Sequence, residues 1–183
     1  MAVYTKINKK DISYINKKFE IEKIISFKGI KQGIENTNYL LRSKNKKFIL
    51  TIFEKRVSQN EIPFFMKLMD QLNNSKINCP KPQKNKNGNY LVRIRKKSAC
   101  IVSFLEGKDK KLLNLKNCHE IGKMIAGMHL STKKINLSRK NSMGIKYLNP
   151  LLNSIKFKSK KFTNIEKFLK INFKDIKMKW PKK

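Results

Sequence analysis

The sequence predicts an α+β fold in which an antiparallel sheet and one helix precede a mainly helical second part. Three observations indicate it. Three apolar runs near the start have the length of strands, an apolar stripe with helical spacing begins near residue 61, and two more strand-like runs precede further helical segments. A chain of 183 residues, 39% of them hydrophobic, is long enough for one domain or for a small domain and part of a second.

The first strands surround a loop that is rich in glycine and asparagine. Residues 21–27 and 38–42 are predicted strands, and residues 48–53 form a third that is almost wholly apolar. Because a strand with two apolar faces is buried on both, we expect the third strand in the centre of the sheet. The segment between the first two carries Gly29, Gly33, Asn36 and Asn38. Backbone N–H groups of such a loop can fold over a polyphosphate, so this segment is a candidate nucleotide lid.

Helix starts are indicated at three places. We expect Asp11 to cap a short first helix. A second helix begins near Glu61, with Pro63 in its first turn, where a missing N–H costs little. A third begins near Asn117, whose spacing from Glu120 fits a capping box. One apolar stripe of this third helix is expected to be buried: Ile121, Met124, Ile125 and Met128.

The segment between the second and third helices is predicted to be extended. Asn87-Gly88 predicts a hairpin that joins strands at residues 82–86 and 89–95. Residues 99–105 form another apolar strand. The stretch 106–114 that follows is the expected hinge to the second part of the chain.

The formal net charge is +32, from 44 basic and 12 acidic residues. A basic surface suggests nucleic acid, because it releases counterions from phosphate backbones. Only five of the basic residues are arginine, the residue best suited to bidentate phosphate and base contacts. The lysines are spread over every polar stretch among many asparagines and isoleucines. The bias of an AT-rich genome explains this pattern better than a nucleic-acid patch does, and a basic binding module is the alternative.

Metal, disulfide and membrane chemistry have no support in the sequence. Cys79, Cys100 and Cys118 are isolated, and His119 and His129 form no ligand motif. No apolar run approaches the ~20 residues of a membrane helix, and the N-terminus has no apolar signal core. We expect a cytoplasmic protein with no membrane partner.

The order of three strands, a helix, two strands, a connector and further helices is that of the small lobe of a protein-kinase-like fold. A generic α+β domain shows the same order. On the kinase interpretation the connector is a hinge that holds adenine. We place the small, nucleotide-binding lobe at residues 1–106, and the hinge with the first helices of a helical large lobe at residues 107–183. Thr163 and Glu166 suggest the cap of one later helix.

Several segments resemble the bacterial homoserine kinases of the aminoglycoside-phosphotransferase, or choline-kinase-like, superfamily. The resemblance covers nearly the whole chain through KGIKQGIENTNYLL, FILTIFEKRVSQNEIPFFMKLMDQL, VSFLEGK, CHEIGKMIAGMHL and SRKNSMGIKYLNPL, up to the final WPK. Glu54–Arg56 followed by Ile62–Met69 is specific to the homoserine-kinase branch. The resemblance implies phosphorylation of the L-homoserine hydroxyl by ATP with Mg²⁺, a step in threonine biosynthesis.

The resemblance also implies roles for single residues. The implied nucleotide-binding residues are Gly29, Gly33, Asn36, Thr51, Ser103 and Leu105. Asn38 is the implied substrate-binding residue, and an ordinary turn or strand end is the alternative for each of these. Thr51 stands where the wider superfamily has a lysine that pairs with phosphates. A hydroxyl cannot supply that charge, and Lys28, Lys31 and Lys55 are the open alternatives.

One part of the kinase pattern does not occur in the sequence. There is no HxD-type catalytic loop with an Asp base and a metal-binding Asn. On the resemblance, the catalytic groups and the Mg²⁺ ligands are expected beyond Lys183, which makes the chain an N-terminal portion with an incomplete large lobe. A non-functional truncated gene product is a further alternative, and the sequence predicts no oligomeric state.

Overall fold

The computed structural model describes residues 3–54, 58–110 and 112–140, together with positions 150, 167 and 172. The chain divides into two units, residues 1–137 and residues 138–183, and the strands and helices named below belong to the first. Lys55 and the predicted helix cap at Thr163 and Glu166 lie outside the described residues.

One antiparallel sheet of five strands, in the order β1-β2-β3-β5-β4, forms the centre of the first unit. The strands are β1 Ser26–Gly29, β2 Thr37–Arg42, β3 Lys47–Ile52, β4 Leu91–Ile94 and β5 Lys97–Ser103. The helices named in the described part are α1 Lys9–Lys18, α2 Ile62–Asn74 and α3 Leu115–Thr132. The predicted α+β class is confirmed, and β3 lies in the centre of the sheet as its apolar sequence predicted.

The main hydrophobic core lies between α1 and one face of the sheet. Ile15 and Phe19 of the α1 region pack with Leu41, Leu50 and Ile101 from the three inner strands, and none of the five is more than 2% exposed. Burial of one side chain of this size contributes about 1.5–3 kcal/mol. Apolar side chains therefore fill the centre of this face.

The opposite face of the sheet carries α2. Ile62 and Met66 of this helix pack against Cys100 and Val102 of β5 and are themselves almost fully buried. Pro63 sits in the first turn as predicted. The cluster takes its strand residues from β3, β5 and β4, so among the described residues no buried helix residue of this cluster lies over β2.

Two helices begin three residues earlier than the sequence predicted. Asn8 caps α1: its Oδ1 accepts from the N–H groups of Lys10 and Asp11 at 3.0 and 3.3 Å, and the Asp11 carboxylate accepts from the Asn8 N–H at 2.8 Å. Asn114 caps α3 with Asn117 as its partner in the same way. In both helices the predicted cap is the reciprocal member of a capping box, located one turn into the helix.

Two predicted strands are shortened or absent. β1 begins at Ser26, because Asn16 of α1 binds both the N–H and the C=O of Ile24, at 2.8 and 3.0 Å. The predicted strand at 82–86 makes only isolated bridges, from Pro82 to Val102 and from Asn85 to Phe19. Its predicted turn is present: Gly88 has a φ of +77° and donates its N–H to the carbonyl of Asn85 at 2.8 Å.

The tight hairpin between β4 and β5 was not predicted. Ile94 pairs with Lys97, so Arg95 and Lys96 form a two-residue turn with φ values of 50° and 64°. Two left-handed residues in succession define a type I′ turn, which normally favours asparagine or glycine. Neither is present, so the composition of the turn gave no signal.

The prediction of a buried stripe on α3 is wrong for the described part of the chain. Ile121, Met124 and Ile125 are 41, 55 and 40% exposed. Helical spacing identifies an apolar face, whereas burial also requires an element packed on that face. None of the described helices is long and apolar enough to cross a membrane.

Candidate nucleotide-binding site

The sheet face that carries α2 is half-buried at four residues of β2 and β3. Side chains alternate along a strand, and Thr37, Tyr39 and Leu41 lie on the α1 side. Asn38 and Leu40 therefore lie on the other side, opposite Thr51 and Ile49 of β3. All four are half-buried. We call Asn38, Leu40, Ile49 and Thr51 the open face.

Two polar residues of the open face are joined to each other. The Thr51 hydroxyl donates to the Asn38 side-chain oxygen Oδ1 at 2.8 Å. Both residues were singled out in the sequence, Thr51 for the nucleotide and Asn38 for the substrate, and the structure places them side by side. The pair lies at the end of β2 that adjoins the glycine-containing loop.

The loop of residues 30–36 connects β1 and β2 and holds Gly33 at a φ of +96°. Apart from Gly33 itself and its two chain neighbours, no heavy atom of the described residues lies within 4 Å of the position that a Cβ would occupy on Gly33. The loop returns to the sheet at Asn36, whose Oδ1 accepts from the Glu54 N–H at 3.2 Å. Asn36 thus anchors the loop end to β3, and the exposed backbone around Gly33 is the part that can approach a ligand.

Gly29 has a different environment. It lies in β1, and a Cβ at this position would stand 3.0 Å from Val3 Cγ2 and 3.5 Å from Tyr39 Cε1. The absence of a side chain at Gly29 admits the N-terminal segment. Gly29 and Gly33 are therefore not equivalent members of one phosphate loop.

The end of β5 is tied to the segment before it. Ser103 donates its N–H to the Lys81 carbonyl and accepts the Lys81 N–H on its Oγ, both at 2.9 Å. This N–H is already paired, and the role of Ser103 in nucleotide binding stays a prediction. Leu105 is 40% exposed two residues further on. Thr51 lies three residues from Phe48, the partner of Ser103 on β3, which is a distance of about 10 Å along the strand.

A polar cluster on the α1 side of the sheet was not predicted from the sequence. The carboxylate of Glu54, just after β3, accepts hydrogen bonds from Lys97 Nζ and from the hydroxyls of Thr5 and Thr37, the latter two at 2.7 Å. Burial raises the pKa of Glu54, but the bonds from Lys97, Thr37 and Thr5 and the charge of Lys97 outweigh it, so the pKa lies below its usual value. Only a pairing across 43 residues reveals this cluster, and no local pattern signals it.

Two of the three cations that could accompany Thr51, Lys28 and Lys31, lie in the described part of the chain. The Lys97 side chain lies on the α1 side of the sheet, where it pairs with Glu54, so it does not reach the open face. Lys28 of β1 is paired with Leu40 and is exposed, which puts it beside the open face. Lys31 is an exposed residue of the loop.

A magnesium site is not formed by the described residues. They contain no group of three or more His, Cys, Asp or Glu side chains that could hold a metal ion. Lys28 and Lys31 near the open face suit an anionic ligand, and Glu35 of the adjoining loop is a single carboxylate and not a cluster.

Solved structures with the same fold include a spectinomycin phosphotransferase and an aminopropanol kinase. The spectinomycin phosphotransferase in complex with ADP and spectinomycin aligns with a TM-score of 0.61 at 13% identity, over 95% of this chain and 56% of that chain. A microcompartment-associated aminopropanol kinase aligns with a TM-score of 0.60 at 14% identity, over 78% and 47%. The five-stranded sheet and its helices thus have the protein-kinase-like fold of the aminoglycoside phosphotransferases.

Sequence comparison identifies the family. Residues 26–153 match the Phosphotransferase enzyme family, to which the chain belongs. It is 36% identical over 154 residues to the homoserine kinase of Parvibaculum lavamentivorans and 38% identical over 156 residues to that of Paramagnetospirillum magneticum. These matches cover 84% and 85% of this chain and 48% of each relative, so the chain spans about half the length of these curated relatives. The resemblance to homoserine kinases is confirmed.

Proposed function

We propose that this chain supplies the nucleotide-binding lobe of a homoserine kinase, which transfers a phosphoryl group from ATP to the hydroxyl of L-homoserine. The observation that carries the proposal is the identity of 36–38% to curated homoserine kinases over about four-fifths of the chain. The solved relatives share the fold at 13–15% identity and include complexes with ADP and with AMP-PNP and Ca²⁺. With this reaction, we expect the protein to act in the cytoplasm and to take part in threonine biosynthesis.

The open face suggests how ATP would lie. Adenine would enter at the end of β5 near Leu105, with the hinge following residue 106 as the lobe boundary. The ribose would pass below the apolar pair of Leu40 and Ile49. The phosphates would then reach Thr51 and Asn38, about 10 Å along β3 from the hinge end, with the Gly33 loop above them.

We expect magnesium to bind together with ATP. It would neutralise phosphate charge during transfer. Because the described residues hold no carboxylate cluster, we expect its protein ligands and the base for the homoserine hydroxyl to come from elsewhere in the complete kinase.

A chimera tests the proposal. Residues 1–183 would be joined to the part of the Parvibaculum lavamentivorans homoserine kinase that they do not cover. We expect magnesium-dependent, ATP-dependent phosphorylation of L-homoserine, measured by coupled ADP release. No turnover in a chimera that is folded and that still binds L-homoserine would count against a nucleotide-binding lobe.

A matched pair of glycine variants tests the loop in the same chimera. Gly33→Val adds a branched side chain at a left-handed φ and stiffens the proposed phosphate loop, so we expect KM for ATP to rise about tenfold or more. Gly88→Val is the matched control, because Gly88 also has a left-handed φ, of +77°, and open space around its Cβ position, but lies in the turn before β4. Its KM for ATP should be unchanged.

A further inference from the structure

In the structure, the Asn38 amide turns its Oδ1 towards the Thr51 hydroxyl and its Nδ2 outward. The Thr51 hydroxyl uses its one proton on Asn38 Oδ1. Within the described residues, the Asn38 Nδ2 group makes no hydrogen bond, and no side-chain nitrogen or oxygen there is both buried and without a partner. Asn38 therefore presents two N–H donors from the open face, at the loop end of β2.

These donors stand in an environment that suits an anion. Asn38 is half-buried beside the loop of residues 30–36, and Lys28 and Lys31 are exposed nearby on β1 and in the loop. Thr51 alone could not replace a lysine, since a hydroxyl carries no charge. With its proton engaged, Thr51 can only accept, so it cannot itself donate to a phosphate oxygen.

We propose that Asn38 Nδ2 binds a phosphate of ATP and that Thr51 acts as a positioning residue that holds the Asn38 amide in the required orientation. The proposal rests on the proposed kinase function. It moves Asn38 from the homoserine side of the reaction to the nucleotide side and gives Thr51 an indirect role. A fixed neutral donor beside two exposed lysines then takes the place of a single strand lysine.

Equilibrium binding of a series of nucleotides to the chain of residues 1–183 tests this. Asn38→Asp keeps an acceptor for the Thr51 hydroxyl and replaces the outward donors by negative charge. In metal-free buffer, where the new carboxylate cannot recruit a cation, we expect affinity for ATP to fall about ten- to hundredfold or more. Affinity for adenosine should stay within twofold. Asn87→Asp, an exposed substitution at the opposite edge of the sheet, is the charge-matched control.

Two variants of Thr51 separate positioning from general stability. Thr51→Val removes the hydroxyl while keeping the shape, so the freed amide should lower the ATP affinity about three- to tenfold relative to adenosine. Thr51→Ser keeps the hydroxyl and should restore the wild-type ratio. A merely structural role would change the unfolding midpoint and leave the ratio of ATP to adenosine affinity unmoved.

The outcomes are distinguishable. Suppose that the wild-type chain binds ATP, and that Asn38→Asp lowers the affinities for ATP and adenosine equally or changes neither. The assignment of Asn38 to phosphate is then overturned, while the proposed function stands. A wild-type chain that is folded but binds no ATP would overturn both. Should Asn38→Asp fail to fold, the Thr51→Val and Thr51→Ser pair gives the same decision.

Discussion

Lys97 of β5 and Glu54 after β3 form an ion pair on the sheet face opposite Thr51. Lys97 Nζ also donates to the Thr5 hydroxyl at 2.8 Å, and the Glu54 side chain is only 10% exposed. The pair thereby ties three parts of the chain together: the N-terminal segment, the end of the central strand and the start of β5.

Replacing Lys97 by Met tests how much this ion pair contributes to the free energy of unfolding. The substitution keeps an apolar stem and leaves the poorly exposed Glu54 carboxylate without its cation. We expect the free energy of unfolding to fall by about 1.5–3 kcal/mol, measured by urea denaturation. Lys47→Met is the matched control, because the Lys47–Glu106 pair is exposed and should contribute less than about 1 kcal/mol. Equal losses in the two variants would contradict a special role for Lys97.

The same cluster predicts how stability depends on pH. The pKa of Glu54 is lower in the folded state than its ordinary value of 4.5, so folding favours the ionised form. The stabilisation is fully present above that ordinary value and is lost as pH falls through the lower, folded-state pKa. Wild type should therefore exceed Glu54→Gln in stability at pH 7, and the difference should shrink towards pH 3.

Urea denaturation at several pH values measures this difference. Glu106→Gln serves as the control, since Glu106 is 74% exposed and its substitution should give a small difference at every pH. A wild-type advantage over Glu54→Gln that grew on acidification would reverse the expected sign.

Gly29 and Val3 should show a steric coupling. Gly29→Ala places a Cβ 3.0 Å from Val3 Cγ2, closer than comfortable van der Waals contact, so we expect a loss of about 1 kcal/mol in stability. In a Val3→Ala background the same change should cost much less. The double-mutant cycle measures the coupling directly, and additive effects would show that Val3 is not the obstacle.

The three cysteines should react in a fixed order. Cys118 is exposed and Cys79 is half-buried, whereas Cys100 is 2% exposed. Burial raises the pKa of Cys100 to about 12 despite a hydrogen bond with the backbone of Thr51, and burial also raises the pKa of Cys79 despite its bond with Asn73. With a thiol reagent at pH 8, we expect Cys118 to react first and Cys100 only on unfolding. Peptide mass mapping gives the order, and Cys118→Ser should remove the fast phase.

Local patterns in the sequence were sufficient for the elements whose cause is local. The apolar run of β3 identified the central strand, and Pro63 marked the first turn of α2. The caps of α1 and α3 were displaced because each start carries two suitable polar residues three positions apart. Spacing alone does not decide which of the two lies outside the helix.

The wrong predictions have two causes. Some contacts join residues that are not adjacent in the sequence, and one turn has a composition that does not indicate a turn. The side chain of Asn16 binds the Ile24 backbone, so Ile24 is not part of β1. Lys97 donates a hydrogen bond to Glu54, which lies 43 residues earlier in the sequence. The Arg95–Lys96 turn adopts left-handed geometry without glycine because the pairing of β4 with β5 imposes it. For the site, the sequence singled out Asn38 and Thr51, but only the register of β2 with β3 shows that they touch.

The pairing of β3 with β5 also has a consequence for synthesis on the ribosome. The first strands and α1 emerge early, yet β3 gains its second neighbour only when β5 has been translated about 50 residues later. Until then the nascent chain presents the central strand with one edge unpaired, a state prone to association. Slow translation between β3 and β5 would prolong that exposure, so the interval from Phe53 to Lys97 is where chaperone contact would matter most.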